Sequence, residues 1–334
     1  MSSFFQCVAL LLVGLGLFGE ADAQLYRVYG NKKIAYYTTT VDKSGRGDFT
    51  SIQSAINAVP KNNRHWVSIK IKAGTYREKV TIPSDKPYII LKGENRRQTQ
   101  IVWGDHDSLA QSPTFASFAD NIIARSITFV NSYNNPVNSN PQMPAVAAMV
   151  SGDKLKFYRC GFFGLQDTLW DVSGRHYYKL CTIQGAVDFI LGSGQSIFEK
   201  CSISVLGEAL GRGVAGFITA QGRDNPKDPN GFVFKDCKVT GTGSTFLGRP
   251  WRGYSRVIFY NSNFSNVVVP EGWAPWNMVG HEEQLTYAEQ ECYGPGANTS
   301  KRVSWEKKLS SDTVQQFASL EFINADGWLS DQPF

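Results

Sequence analysis

The sequence predicts an all-β protein, a right-handed parallel β-helix with a short N-terminal capping helix and a C-terminal helical segment. Three observations carry that prediction. Residues 157–192 state one pattern twice: Phe157, Tyr158 and Cys160 lead to Asp167, seven residues past the cysteine, and Tyr177, Tyr178 and Cys181 lead in the same way to Asp188. A repeat of 21 residues is the length of one solenoid coil. The phrase aromatic-x-x-Cys starts at Phe157, Tyr178, Phe198 and Phe234, with Phe259 to Ser262 as a degenerate late copy. Finally, the two-residue turn signals that a propeller or jelly roll needs for its antiparallel hairpins are scarce.

In chain order, residues 8–18 are apolar, too short to span a bilayer, and Ala21-Asp22-Ala23 follows as a small-x-small cleavage signature. Residues 1–23 therefore read as a secretory signal peptide, with the mature product expected outside the cell and no membrane span after it. Residues 24–40 read as a loose N-terminal arm, and 41–334 as a single β-helix domain. A helix starts at Thr50, where Thr50 and Gln53 form a capping box. Ile52, Ala55, Ile56 and Val59 make its apolar face and Pro60 ends it. Such a helix covers the open end of a solenoid.

Strand signals follow at 67–71, 80–82, 88–91 and 101–103, with Gly74-Thr75-Tyr76 as a break between them. Further hydrophobic runs stand at 122–129, 145–150, 155–158, 177–183, 196–203, 232–239 and 256–264. The long insertion at 205–231 is expected to project as a loop. A second short helix is predicted over 312–320, which with Trp328 packs on the solenoid from outside.

The 334 residues carry a formal charge of +5; loss of residues 1–23 removes Glu20 and Asp22 but no Lys or Arg, giving +7. A basic extracellular protein is attracted to polyanions such as acidic polysaccharides, though the charge serves solubility equally well. Five cysteines remain after the signal: Cys160, Cys181, Cys201, Cys237 and Cys292. Stacked on successive coils, they are either disulfide partners or small buried hydrophobes, and an odd count leaves one thiol over unless chains are cross-linked. The four histidines read as surface or loop residues, with no zinc-like spacing. Asn263 and Asn298 begin glycosylation sequons.

The chemistry centres on Asp167 and Asp188. Neighbouring strands lie roughly 4.8 Å apart, so the repeat stacks one carboxylate over the other and drives their pKa values apart. Gln166 offers amide donors to a developing oxyanion. Arg249, in a region without strand alternation, is placed to keep Asp188 ionised while Asp167 holds the shared proton. One acid is then a nucleophile and the other a proton donor. Other readings stand beside this one. Stacked aspartates also serve as turn formers or calcium ligands, Arg249 as an ordinary ion-pair partner and Trp251 as core filling. A pair this close would equally suit a retaining glycosidase.

At this point the residues resemble a known family. Gly74-Thr75-Tyr76-Arg77-Glu78, Gly164-Leu165-Gln166-Asp167-Thr168-Leu169, Gly185-Ala186-Val187-Asp188-Phe189-Ile190-Leu191-Gly192, Thr219-Ala220-Gln221-Gly222-Arg223 and Leu247-Gly248-Arg249-Pro250-Trp251 resemble the signature blocks of plant pectin methylesterases. The match runs in order from Val41 to the C-terminus. The resemblance implies a right-handed parallel β-helix that hydrolyses methyl esters of homogalacturonan (pectin) to methanol and de-esterified pectin, without metal or organic cofactor. It implies Asp188 as nucleophile, Asp167 as acid/base, Gln166 as oxyanion stabiliser and Arg249 as the residue orienting Asp188. Thr114, Phe115, Arg249, Trp251 and Trp273 are implied as substrate contacts. The expected setting is the cell wall, as a monomer, with pectin as substrate and a proteinaceous pectinesterase inhibitor as a candidate partner; neither nucleic acid nor membrane is implied. Only 17 residues (24–40) separate the signal from the opening block, so the inhibitor-like pro-region of many relatives is expected to be absent.

Two positions depart from the family pattern. Pro144-Ala145-Val146-Ala147-Ala148 stands where Gln-Ala-Val-Ala-Leu is usual, so the second oxyanion glutamine is replaced by a residue without a donor. Losing one such donor costs roughly 2.7–4 kcal/mol of barrier, or about 10²–10³ in rate. Gln142, a backbone N–H or water is a candidate substitute, and a weakened or inactive pectin-binding relative is the alternative reading. Leu191 stands where phenylalanine is common, a packing swap. The Asn-Thr-Asp, Asp-Asp and Gly-His-Gly strings of polygalacturonases are absent, as is the Gly-x-Ser-x-Gly of serine hydrolases.

Overall fold

A repeating sequence that forms parallel strands must return each residue beside its counterpart one coil earlier. In the computed structural model, which describes residues 26–29, 32–137 and 140–333 (side chains from residue 37 onward), the chain winds as a parallel β-helix of three sheets. The expected signal peptide lies outside the described residues. One coil gives Leu155–Tyr158 to the first sheet, Gly161–Phe163 to the second and Leu169–Asp171 to the third. The next gives Arg175–Lys179, Thr182–Gly185 and Ile190–Gly192. Register pairs Phe157 with Tyr178, Phe162 with Ile183 and Trp170 with Leu191, an offset of 21 residues in every sheet.

Hydrophobic runs read as single strands prove to be two strands around a corner. Ile122–Arg125 and Thr128–Asn131 flank Ser126 (φ 57°), and Leu180, Lys200, Asp236 and Asn261 make the same left-handed bend in later coils. A lone left-handed residue leaves no mark in a hydrophobicity pattern, since its side chain need not change. The ladder cysteines come right after these bends. Their thiols donate to carbonyls one coil back, Cys181 to Phe157, Cys201 to Tyr178 and Cys237 to Phe198. All five described cysteines are free; Cys160, Cys181, Cys201 and Cys237 are buried hydrophobes and Cys292 is half-buried. Inside, Phe157, Tyr178, Phe198, Phe234 and Phe259 stack face to face at centroid separations of 5.0, 4.5, 4.6 and 4.4 Å.

Four local expectations change. Lys32–Val41 pairs in parallel with Trp66–Ile71, so most of the supposed arm is a strand of the first sheet. Gly74–Tyr76 is a strand of the second sheet, not a break. Ala215–Gln221 and Ser244–Pro250 are strands of the third sheet where loops are predicted. They approach so closely that a Cβ on Gly248 would lie 2.0 Å from the Thr219 hydroxyl, and glycine at such a contact erases the alternation that marks a strand. Helix α1, Ile52–Ala58, is capped by Ser51, not Thr50, the Ser51 hydroxyl accepting from the Ser54 amide at 3.2 Å. Gln53 turns away to accept from the Thr81 amide, and the Glu78 carboxylate takes the Ile52 and Gln53 amides instead, both at 2.9 Å.

At the other end, helix α2 (Ser311–Ala318) begins at the cap Ser310, and Trp328 packs with Ile323 on Tyr177, Ile197 and Val233. The C-terminal segment thus covers part of the first sheet's outer face, as the sequence predicts.

His176 is the clearest reversal, fully buried rather than at the surface. Its Nδ1 lies 2.9 Å from the Asp171 carboxylate and its Nε2 2.7 Å from the Gly152 carbonyl. Both neighbours are acceptors, so both ring nitrogens carry protons. Tyr178 and Ser196 donate to the other Asp171 oxygen. Burial disfavours the charged ring, but Asp171 and the two hydrogen bonds outweigh it and raise the pKa above the ordinary 6.5. A raised folded-state pKa stabilises fully below the unfolded value and the gain fades as pH rises through the folded one. His176→Gln is therefore expected to lose roughly 3–5 kcal/mol of unfolding free energy at pH 5.5, where the buried pair is broken. The deficit should shrink at alkaline pH; denaturant titrations at both pH values measure it.

Candidate active site

Asp167 and Asp188 each form the corner between the second and third sheets, with left-handed φ values of 59° and 47°. Aspartate is among the few residues that tolerate this conformation. A parallel bridge joins Gln166 to Val187, and the Asp167 amide donates to the Val187 carbonyl at 3.0 Å. The two acids therefore follow the 21-residue register and stand on successive coils, both side chains nearly closed off from water.

Arg249 comes from Ser244–Pro250, two coils beyond Asp188 in the third sheet. Its Nε donates to one Asp188 oxygen at 2.9 Å and its Nη2 to the other at 2.5 Å. The guanidinium is held between two rings, 4.1 Å from the centroid of Phe217 and 3.9 Å from that of Trp276. Phe217 rests on Phe246 in turn, centroids 5.3 Å apart. Two ring faces and a two-point carboxylate contact leave the cation few alternatives.

Burial raises both carboxyl pKa values, but by different balances. Asp188 is pulled back by the hydrogen bonds and charge of Arg249. Asp167 is raised to about 7, first by burial and then by the Asp188 charge, against a smaller lowering from the Gln166 side-chain hydrogen bond and from Arg249. Near neutrality, Asp188 is the anion and Asp167 the acid. The site thus holds an ionised, oriented carboxylate beside a proton donor and an amide, which suits nucleophilic attack at an ester carbonyl. On the coil before, the Ala145 amide donates to the Gln166 carbonyl at 3.3 Å, so Pro144 lies beside the oxyanion corner while Gln142 is exposed.

Asp167, Asp188, Gln166 and Arg249 come together as the sequence predicts; three of the expected substrate contacts do not. Thr114 is fully buried and donates to the Val130 carbonyl at 3.0 Å. Phe115 points into the core, its ring 4.6 Å from that of Phe129. Trp273 is likewise interior, stacked on Tyr287 at 4.5 Å. None can touch a polymer at the surface. The exposed aromatics are three residues further on: Phe118 at 42% and Trp276 at 45%. Trp251 is half-buried and retained as a candidate contact. Sequence reasoning missed Phe118, Phe217 and Trp276: Phe118 lies just past the strand Phe115–Ser117, Trp276 opens a 3-10 turn after the bridge at Trp273, and Phe217 lies in a strand where a loop is predicted, so no alternation marks which side faces out.

A pectinesterase family model matches residues 38–326. The chain belongs to the pectinesterase family. It is 61% identical over 297 residues to "Probable pectinesterase 29" of Arabidopsis thaliana, covering 88% of this chain and 89% of that one. "Probable pectinesterase 55" of the same plant is 60% identical over 301 residues, covering 89% and 91%. Among solved structures, a pectin methylesterase from carrot superposes with a TM-score of 0.81 at 34% identity, over 89% of this chain and 96% of that one. Another, a pectin methylesterase in complex with a hexasaccharide, gives a TM-score of 0.75 at 26% identity over 86% and 96%.

Two pectinesterase blocks are structural in this chain. Glu78 of Gly-Thr-Tyr-Arg-Glu receives the amides of helix α1. Arg223 of Thr-Ala-Gln-Gly-Arg ties the carbonyls of Asp228, Tyr254 and Pro226 together beneath the loop that follows. The blocks that hold Asp167, Asp188 and Arg249, by contrast, meet at one corner. Removing the cation from that corner leaves Asp188 buried and unpaired. Arg249→Gln is expected to raise the Asp188 pKa further, since the cation that lowers it is gone, read from carboxyl carbon shifts in an NMR titration.

Proposed function

We propose that this pectinesterase demethylates homogalacturonan through Asp188 as nucleophile and Asp167 as acid and base. An Asp188 oxygen attacks the ester carbonyl carbon, and the oxyanion that forms is met by the Gln166 amide. The C–O bond to the methoxy group breaks, Asp167 gives its proton to the departing oxygen, and methanol leaves. The sugar carboxyl is then held as an anhydride with Asp188. Water attacks that carbonyl, one of its protons passes to Asp167, and Asp188 is released as the anion beside a uronic acid, which ionises to uronate by losing its proton to solvent. Arg249 keeps Asp188 ionised and aimed throughout. The carrying observation is the asymmetry of the pair: one aspartate in a two-point contact with a guanidinium, the other raised to about 7.

The polymer is proposed to lie along the coil axis on the third sheet's outer face. The register puts Phe118 and Trp251 on one row at its two ends, with Ser151, Val172, Ser193 and Gly222 between them. Five strand spacings give this row a length of roughly 24 Å. Phe118, Trp251 and Trp276 offer rings for sugar faces, in keeping with a similar fold that takes a hexasaccharide. Residues 1–23 are proposed to direct the mature chain to the cell wall.

Purified mature chain should release methanol from highly methylated pectin, and Asp188→Asn should lower the rate by roughly 10⁴ or more. Surviving activity in that variant would remove Asp188 as nucleophile. Because Asp167 must start protonated, kcat/KM should fall as pH rises through about 7; a stopped methanol assay across pH 5–9 checks the limb. Pro144→Gln restores a donor beside Gln166, and kcat is expected to rise by up to roughly 10². No methanol from the native chain together with intact pectin binding would favour the reading of a silenced relative.

A further inference from the structure

The coils that carry the aspartates present a different chemistry on another side. Two cavities, of about 560 and 400 Å³, open on the outer face of the first sheet and at its corner with the second. The aspartates lie at the corner between the second and third sheets, so neither cavity includes them. Arg96, Arg97 and Arg159 line the larger cavity and Arg125, Lys156 and Lys179 the smaller, against one acidic lining residue, Glu94. Tyr158 and Arg159 are the wall between the two. The Arg125 and Arg159 guanidiniums both lie 5.2 Å from the centroid of the Tyr158 ring.

This concentration of charge is costly where it stands. The Lys156 ammonium is pushed down to about 8, first by burial and then by Lys179 and Arg125. Glu199 accepts from Lys179 at 2.9 Å and from Tyr177. The cations are also regularly placed. Register in the first sheet sets Lys92, Arg125, Tyr158 and Lys179 on one row, one per coil, at the strand spacing of roughly 4.8 Å. Three of these four successive positions are cationic, with Tyr158 between them and Glu199 next on the row; cations spread along the coil axis fit a linear polymer with an anion on each unit, and fit a compact anion poorly. Tyr158 and Tyr177 add amphipathic rings of the kind that accept a sugar face and a hydroxyl together.

We propose that this surface is a second, non-catalytic binding site for de-esterified homogalacturonan, the polyanionic product. The proposal rests on the reading of the reaction as one that turns neutral methyl esters into free carboxylates. A methylated stretch carries no charge for these groups to recognise, whereas a demethylated stretch carries one carboxylate per sugar. Arg96 is part of the frame, donating to the Leu180 carbonyl and the Thr182 hydroxyl, while Arg97 and Arg159 are exposed and available to the polymer. Bound there, the enzyme stays near polymer it has processed while the catalytic corner faces a further stretch. That raises the local concentration of substrate without any new contact at the active site.

The test compares the full mature chain with Arg97→Gln/Lys156→Gln/Arg159→Gln by calorimetric titration with fully de-esterified homogalacturonan oligomers at low and high salt. The triple variant is expected to bind about tenfold more weakly at low salt and to lose most of the salt dependence. Its kcat on a short methyl-esterified oligomer should be unchanged. Arg97→Glu/Arg159→Glu, which alters exposed positions only, should show the same loss of binding if the triple variant folds poorly. Unchanged affinity in a folded variant would overturn the proposal. So would equal affinity of the native chain for double-stranded DNA of matched charge, since that would mean a general polyanion surface. Absence of methanol release by the native chain would defeat the catalytic reading while leaving the binding comparison to stand or fall by itself.

Discussion

Hydrogen bonding between parallel coils gives every residue a fixed neighbour one coil away, and the remaining features of the molecule follow from that constraint. With a 21-residue offset in all three sheets, no residue between the corners can slip without displacing the others. Aromatic rings fall on aromatic rings, thiols on carbonyls and, at one corner, a carboxyl on a carboxyl. The first two arrangements stabilise the stack. The third opposes it, because two buried acids at one corner cannot both be charged.

Arg249 turns that opposition into a division of labour. Without a cation, the pair would share one proton with no preference for either oxygen set. A guanidinium bonded at two points to Asp188 settles the anion there, and the displaced proton affinity appears at Asp167. The rings of Phe217 and Trp276 matter for the same reason, since they limit where the guanidinium can go. Trp276 is also half-exposed, so one ring both confines the cation and reaches solvent.

How much of this could be read in advance depends on which quantity the sequence encodes. The repeat at Cys160 and Cys181 encodes register, and register was enough for the fold and for Asp167 above Asp188. Charge complementarity then points to Arg249, and the amide next to Asp167 points to Gln166. What the sequence does not encode is which way a side chain faces at the ends of strands too short to alternate. Phe115 faces inward on its strand while Phe118, just past the strand's end, faces out; Trp273 sits inside at a bridge, and Trp276 is exposed because the chain leaves the sheet in a 3-10 turn. His176 failed for another reason: its partners Asp171 and Gly152 belong to the turn before and the coil before. A buried ion pair is invisible until the coil closes.

The left-handed corner itself carries no chemistry. Ser126, Arg159, Leu180 and Lys200 adopt the same conformation between the first and second sheets, with φ between 53° and 57°, and there the coil merely turns. Asp167 and Asp188 occupy the equivalent bend between the second and third sheets. What separates a turn from a candidate catalytic centre is therefore the occupant and the surroundings. A carboxyl does stand at the first corner in a later coil: Asp236 is half-exposed there, and the Asn261 side-chain amide donates to it at 2.7 Å. At the second corner a carboxyl meets apolar walls, a like charge and one constrained cation. There Asp167 is raised to about 7 and keeps its proton near neutrality, while the two-point contact with Arg249 holds the charge on Asp188.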